Sequence, residues 1–229
     1  MLAAFALYGT DHIGAITVIS AVAITFIYLC RKKPSSLAAR FSIWTLTFLC
    51  LASYSINQLA WLSIGGAHSL DAILPCHLCD IAAFICGFAL ITRNPLLCEL
   101  AYFWGLAGTI QGLITPNLTT SFPNPQFIAF FILHGAIVIT ALTLPLGLGW
   151  KPRPHAVRRV FVWVFIYAAI ATVVNITLET NFAYLRHKPQ GSSLLDVMGQ
   201  WPYYILCLIA VSGLLLYALS LPFRFSSGK

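Results

Sequence analysis

Residues 127–148 read FIAFFILHGAIVITALTLPLGL and contain no Asp, Glu, Lys or Arg. An α-helix rises about 1.5 Å per residue, so a run of this length crosses the ~30 Å hydrocarbon core of a bilayer. The stretch therefore predicts a transmembrane helix. Similar apolar runs precede and follow it, and together they predict seven spans at about 13–30, 41–64, 73–92, 95–114, 127–148, 157–178 and 201–221.

The composition of the whole chain agrees with this prediction. Of the 229 residues 59% are hydrophobic and only 8% are charged, whereas a soluble domain carries about 25% charge. This excludes a soluble globular enzyme, a disordered tail and a nucleic-acid-binding module. We expect an all-α polytopic membrane protein, a seven-helix transmembrane bundle with a single domain over residues 1–229.

The basic residues predict the orientation of the bundle. Eleven of the 13 Lys and Arg residues fall on one side of the predicted membrane, and only Arg186 and Lys188 fall on the other. Basic loops stay in the cytoplasm, so we expect the N-terminus outside and the C-terminus in the cytoplasm. The net charge of +7 is then explained by loops that face anionic headgroups, and we expect membrane lipids rather than nucleic acid as partners.

Polar side chains are concentrated towards the predicted outer side. Within the spans, the outer halves contain Asn57, Gln58, His77, Asp80, Gln111, His134 and Asn175, and the outer flanks add Asp11, His12, Asn117, Glu179, Asn181 and Asp196. In the inner halves we find Glu99. Single groups of this kind often form hydrogen bonds between helices. So many at one depth predict a polar pocket that opens to the outer leaflet.

The remaining residues of note have simpler interpretations. The small side chains of Gly105, Gly108 and Gly112 predict close helix packing. Ser193 to Asp196 resembles a capping box that opens a short helix. We expect solvated side chains at His12, His68, His155 and His187, and packing roles for Cys30, Cys50, Cys86, Cys98 and Cys207.

The segment Leu74-Pro75-Cys76-His77-Leu78-Cys79-Asp80 contains the chemically most versatile residues. Proline is favoured in the first turn of a helix, so we expect Cys76 among the unpaired N–H groups that stabilise a thiolate. Helical spacing would place Cys76 and Asp80 on one face and bring His77 near Asp80. A histidine from the fifth span, His134, could reach the same level. Thiol, imidazole and carboxylate together are the ingredients of covalent catalysis.

Other interpretations of the segment stay open. The Cys76-x-x-Cys79 spacing suits a redox pair, and it loosely resembles membrane oxidases that pass electrons from disulfide formation to quinone. Both cysteines would also pack well as small hydrophobic residues. We expect no metal, because no second spaced pair completes a ligand set, and no cofactor. A non-catalytic binder or carrier is a third functional class.

Several segments together resemble one family, the YwaF-type bacterial integral membrane family, which is related to the transmembrane protein 164 acyltransferase family. The resemblance covers nearly the whole chain. It is carried by Leu74–Asp80, Trp104-Gly105, Thr115-Pro116-Asn117-Leu118, Phe131 through His134-Gly135, Asn181-Phe182, Ser193-Leu194-Leu195-Asp196 and Trp201-Pro202-Tyr203.

The resemblance implies a function. The eukaryotic relative is described as an acyltransferase that moves an acyl chain onto lysophospholipids with a cysteine in a Pro-Cys-His motif and a histidine on a later helix. These residues match Cys76, His77 and His134. The fold also resembles small membrane lipid hydrolases. The expected function is lipid acyl transfer or hydrolysis in a bacterial inner membrane, with His77 or Asp80 as supporting groups.

Substrate contacts complete this interpretation. We expect Gln111, Asn117 and Asn175 to donate hydrogen bonds to an oxyanion or a headgroup, and Asn181 and Asp196 to lie at the same substrate-binding mouth. Arg186 and Lys188 could attract a lipid phosphate. The sequence identifies neither the substrate nor the oligomeric state.

Overall fold

The structure is a computed structural model that describes residues 4–66, 69–189 and 194–225. Its helices in chain order are α1 (Thr10–Lys32), α2 (Leu37–Ser63), α3 (Leu70–Ile73), α4 (Leu78–Thr92), α5 (Pro95–Trp104), a π-helix (Gly105–Thr109), α6 (Ile110–Ile114), α7 (Pro125–Leu146), α8 (Ala156–Thr177) and α9 (Tyr203–Phe225). Short 3₁₀ turns lie at Phe182–Tyr184 and Leu194–Met198.

The described residues contain seven helical stretches that are long and apolar enough to cross a membrane, which confirms the predicted fold class. They are Thr10–Lys32, Leu37–Ser63, Leu70–Thr92, Pro95–Ile114, Pro125–Leu146, Ala156–Thr177 and Tyr203–Arg224. The third stretch joins α3 to α4, and the fourth joins α5, the π-helix and α6. Which end of the bundle faces the cytoplasm stays a prediction from the charge distribution.

The helix α7 is the centre of the bundle. It packs against α1, α2, α4 and the fourth span, and most of its residues are buried. Asn124 caps its start by accepting a hydrogen bond from the Gln126 N–H, and Pro125 occupies the first turn, where no N–H is needed. The same Asn-Pro pattern, Asn94 and Pro95, starts α5. The local sequence thus determines where both helices begin.

The end of the bundle opposite to Cys76 is closed by an ion-pair cluster, which we call the Glu99 clamp. The fully buried Glu99 carboxylate accepts from Nε and Nη2 of Arg153 and from Nε and Nη2 of Arg159, at 2.8–3.1 Å. These bonds raise the pKa of Arg153. The clamp ties the loop after α7 and the start of α8 to α5. It accounts for the one carboxylate that the sequence places in the inner half of the spans.

Candidate functional site

The third span is interrupted at Leu74–His77, between α3 and α4. The Cys76 N–H donates to the Leu74 carbonyl at 2.9 Å, a tight turn rather than a helical bond. The sequence predicted Cys76 inside the first turn of the helix, and this is wrong. His77 is the N-cap of α4, so Cys76 precedes the helix and lies in non-helical backbone.

The carbonyls that this break frees are satisfied by side chains from the second span. Tyr54 donates its hydroxyl to the Ile73 carbonyl at 2.8 Å, and the Gln58 amide donates to the Ala72 carbonyl at 2.9 Å. Unpaired backbone groups are costly at membrane depth, so a break in a spanning helix persists only where other groups pair with it. These two polar residues therefore stabilise the broken conformation.

The sixth span supplies the third partner of the break. The Tyr167 hydroxyl donates to the Cys76 carbonyl at 3.0 Å, and its ring lies 6.0 Å from that of Trp104. Tyr167 also lies near the side chains of Cys79 and Asp80. Tyr167 is not among the residues predicted from the sequence, because those were charged side chains, amide side chains and histidines rather than hydroxyls. A phenol in the middle of an apolar span was the signal that could have found it.

The His77 ring faces the loop that follows α8. It packs edge-on against Phe182 with ring centroids 5.0 Å apart and lies 6.3 Å from Tyr184. Tyr184 lies near the Asn117 side chain, and burial raises the pKa of Tyr184. His77 therefore connects the break to the loop that follows α8 and, through Tyr184, to the neighbourhood of Asn117.

Asp80 lies in the first turn of α4 and is almost fully buried. Its carboxylate faces the backbone N–H of His77, the residue that caps the helix. Asp80, rather than Cys76, therefore meets the N-terminus of the helix. The expectation that this terminus stabilises a Cys76 thiolate is wrong. Cys76 and Asp80 are not paired on one helix face as predicted. They lie near each other on the two sides of the N-cap residue His77.

The third and fourth spans meet closely beside the break. A Cβ at Gly108 would lie 3.1 Å from the end of the Leu78 side chain, and the Cys79 thiol lies near the Thr109 side chain. Thr109 ends the π-helix that starts at Gly105, and single π-helical turns occur often at functional sites. The small residues of the fourth span pack as the sequence predicted.

His134 packs against Gly112 of the fourth span. A Cβ at Gly112 would lie only 2.5 Å from His134 Nε2, so the ring fills the space that the glycine leaves. The Nδ1 atom lies 2.9 Å from the Phe130 carbonyl, and the ring is stacked on Phe130. Because a carbonyl only accepts, Nδ1 carries the proton, and the neutral ring presents an Nε2 lone pair towards Gly112.

The third and fourth spans run antiparallel, and Leu78 lies beside Gly108. Cys76 precedes Leu78 in the chain, and Gly112, which His134 contacts, lies four residues after Gly108. Among the described contacts no hydrogen bond joins Cys76 and His134 directly.

Two of the predicted substrate-binding residues organise the loop after α8 instead. Asn175 is fully buried, accepts from the Thr180 hydroxyl and the Phe182 N–H, and donates to the Phe182 carbonyl. The Asn181 side chain donates to the His187 carbonyl and accepts from the Arg186 N–H. These bonds hold Phe182 against His77.

The other predicted contacts of this region are spread out. Asp196 is exposed and lies 4.0 Å from Lys188, and Arg186 donates to the carbonyls of Asn175 and Thr180. Gln111 is half-buried next to Gly112. Ser193, the first residue of the expected capping box, lies outside the described residues.

The expected solvation of His12 is wrong. His12 is fully buried, accepts from the Tyr8 N–H through Nδ1, and donates through Nε2 to the Leu113 carbonyl at 2.8 Å. It therefore links the start of α1 to α6, next to Gly112. The expected solvated His68 lies outside the described residues, whereas His187 bonds to Asn181 and His155 precedes α8.

The seven apolar helices, with a polar break near one end, define a multi-pass integral membrane protein of the helical class. The comparisons with known proteins assign this chain more narrowly: it belongs to the TMEM164 family, whose model matches residues 7–220. An uncharacterized protein of Treponema pallidum (strain Nichols) is 28% identical over 154 residues, which cover 66% of this chain and 62% of that relative. No solved structure matches the chain significantly.

Proposed function

We propose that this protein is a lipid acyltransferase or lipid hydrolase in which Cys76 is the nucleophile and His134 is the general base and then the general acid. The observation that carries the proposal is the hydrogen bond between His134 Nδ1 and the Phe130 carbonyl, because it leaves Nε2 as a proton acceptor. The proposal is supported by packing against the fourth span, where Leu78 lies beside Gly108 and His134 lies beside Gly112. The family resemblance supports the same pair.

The proposed reaction has two steps. In the first, Nε2 of His134 takes the proton of the Cys76 thiol, and the sulfur forms a bond to the ester carbonyl carbon of a phospholipid. The ester C–O bond breaks, and the lysolipid oxygen leaves with the proton from His134. In the second step, the hydroxyl of an acceptor lysolipid, or water, transfers its proton to His134 and attacks the thioester carbon. The carbon–sulfur bond breaks, the acyl group leaves on the acceptor oxygen, and the Cys76 thiol is restored when His134 returns that proton.

The surroundings support these roles in different ways. Cys76 lies in unwound backbone that Tyr167 holds through the Cys76 carbonyl, and His77 and Asp80 stabilise this break from the loop and from the helix cap. We assign hydrogen-bond donation to the substrate to Gln111, beside Gly112, and to Asn117, which is exposed at the mouth.

The place of action is part of the proposal. We infer an inner-membrane protein of a bacterium with the Cys76 end outside, supported by the bacterial relative and by the distribution of Lys and Arg. Membrane lipids are then both substrate and solvent.

The test uses purified full-length protein in lipid nanodiscs with a phospholipid donor and a lysophospholipid acceptor. We expect Cys76→Ala and His134→Ala to abolish acyl transfer and release of fatty acid while the melting temperature stays near that of the unchanged protein. Cys207→Ala is the matched control, because that thiol is exposed on the lipid-facing surface of α9. Full turnover in both site variants would refute the proposal. If lipid turnover were lost in Cys79→Ala alone, Cys79 would be the nucleophile and the assignment of Cys76 would be overturned.

A further inference from the structure

A groove on the surface of the bundle is a second candidate site. It has a volume of about 680 Å³ and lies between α1, α2 and α7. Its lining includes Phe131 and Gly135 of α7 but neither His134 nor Cys76. The groove is therefore distinct from the proposed catalytic pair.

The groove has the dimensions of a lipid chain. Its lining extends along α1 from Asp11 to Phe26, a distance of about 22 Å, which exceeds one leaflet of the ~30 Å hydrocarbon core. Below its mouth the lining is almost wholly apolar. A Cβ at Gly14, one of the lining residues, would meet nothing within 4 Å, so a larger side chain at this position would enter open space.

The mouth of the groove is different from its floor. Thr10, Asp11 and Phe122 line it, and more than half of the Phe122 side chain is exposed. The Ser121 hydroxyl donates to the Asp11 carboxylate and so orients it. This bond uses one of about four acceptor positions on the carboxylate. Within the described ranges the ion pairs involve Glu99 and Asp196 and not Asp11.

A carboxylate beside an aromatic face is the combination that attracts an ammonium group. We propose that this groove binds a phospholipid with a primary ammonium headgroup. The ammonium lies between Asp11 and Phe122 and donates to Asp11, while one acyl chain extends along the groove past Gly14. The site does not depend on the proposed acyl transfer, because neither Cys76 nor His134 lines the groove.

The experiment measures lipids that the purified full-length protein retains. Protein is reconstituted in nanodiscs of equal parts phosphatidylethanolamine and phosphatidylglycerol, extracted, and its bound lipids are counted by native mass spectrometry. Both lipids contain a phosphate and the same acyl chains, but only phosphatidylethanolamine carries an ammonium group. We expect about threefold enrichment of phosphatidylethanolamine, the size of a partly exposed ion pair.

Two variants separate the headgroup from the chain. Asp11→Asn keeps an oxygen for Ser121 but removes the charge, so we expect the enrichment to vanish while lipid is still retained. Gly14→Leu fills the groove and is expected to reduce retention of both lipids. Ala21→Leu, on the exposed surface of α1 outside the groove, is its control.

Three results would overturn this proposal: equal retention of both lipids by the unchanged protein, unchanged enrichment in Asp11→Asn, or equal retention by Gly14→Leu and Ala21→Leu. Melting temperatures of the variants show whether they are folded. Because Cys76→Ala leaves the groove intact, its lipid retention distinguishes failure of this site from failure of the proposed chemistry.

Discussion

Replacing Gly112 by alanine tests the position of His134 directly. The added Cβ would lie 2.5 Å from Nε2 and still closer to Cδ2. Ordinary carbon contacts begin near 3.5 Å, so the imidazole must move by about 1 Å or rotate. Its hydrogen bond to the Phe130 carbonyl restricts this movement. The variant therefore displaces the proposed base without changing its chemistry.

The magnitude follows from two opposing contributions. Overpacking of a buried position costs about 1–3 kcal/mol, while alanine is favoured over glycine in a helix by up to about 1 kcal/mol. We expect a net loss of stability of about 0–2 kcal/mol, which leaves the bundle folded. A displacement of about 1 Å in a catalytic group can reduce the rate by about 100-fold. We therefore expect kcat/KM to fall by far more than the small loss of stability, measured by the melting temperature, would explain.

The assay compares Gly112→Ala with Gly108→Ala in nanodiscs, with acyl transfer and melting temperature measured on the same preparations. At Gly108 the new Cβ would lie 3.1 Å from the end of the flexible Leu78 side chain, which can rotate away. We expect this control to retain most of its activity. An unchanged kcat/KM in Gly112→Ala would refute the assignment of His134 as the base.

Two further variants test the supports of the site and of the opposite end. Tyr167→Phe leaves the Cys76 carbonyl without its partner, and we expect a loss of about 1–2 kcal/mol in stability and faster amide exchange at residues 74–79. Unchanged exchange, as expected for the exposed Tyr217→Phe, would contradict a supporting role for the hydroxyl. Glu99→Gln leaves two arginines without a counter-charge, and thermal unfolding should show a loss of about 1–3 kcal/mol. The exposed Asp196→Asn should cost less than about 1 kcal/mol, and equal losses in both would argue against a special role for the clamp.

The sequence predicted the fold well because apolar length alone determines which segments cross a membrane. Residues 127–148 contain the signal of α7 without help from any other part of the chain. The end of α3 was different. Pro75 suggested the first turn of a helix, but the observed break depends on Tyr54, Gln58 and Tyr167, which come from distant segments. Single-sequence patterns do not contain such partnerships.

For the candidate site, Cys76 and His134 stay predictions that rest on residue type and expected depth. The spacing of the fourth-span glycines predicted close packing, which the structure has. The burial of His12 was missed because it results from tertiary contacts: residues 4–9 fold back onto the 113–120 segment, where Phe5 donates to the Thr119 carbonyl. Asn175 is buried, and its partners belong to a loop whose path no periodicity indicates.

The Glu99 clamp has a consequence for the cell. A membrane protein that admits lipids and water into one half of a bilayer, as we propose for this one, risks becoming a leak for protons and sodium. At the clamp the buried carboxylate is neutralised by two guanidinium groups, and the adjoining helices pack through apolar side chains. Ions crossing such a layer would have to lose their hydration shell, and the free energy of that dehydration is too large for a rapid leak. The bundle can thus be open to lipid at one end while the electrochemical gradient across the membrane is preserved.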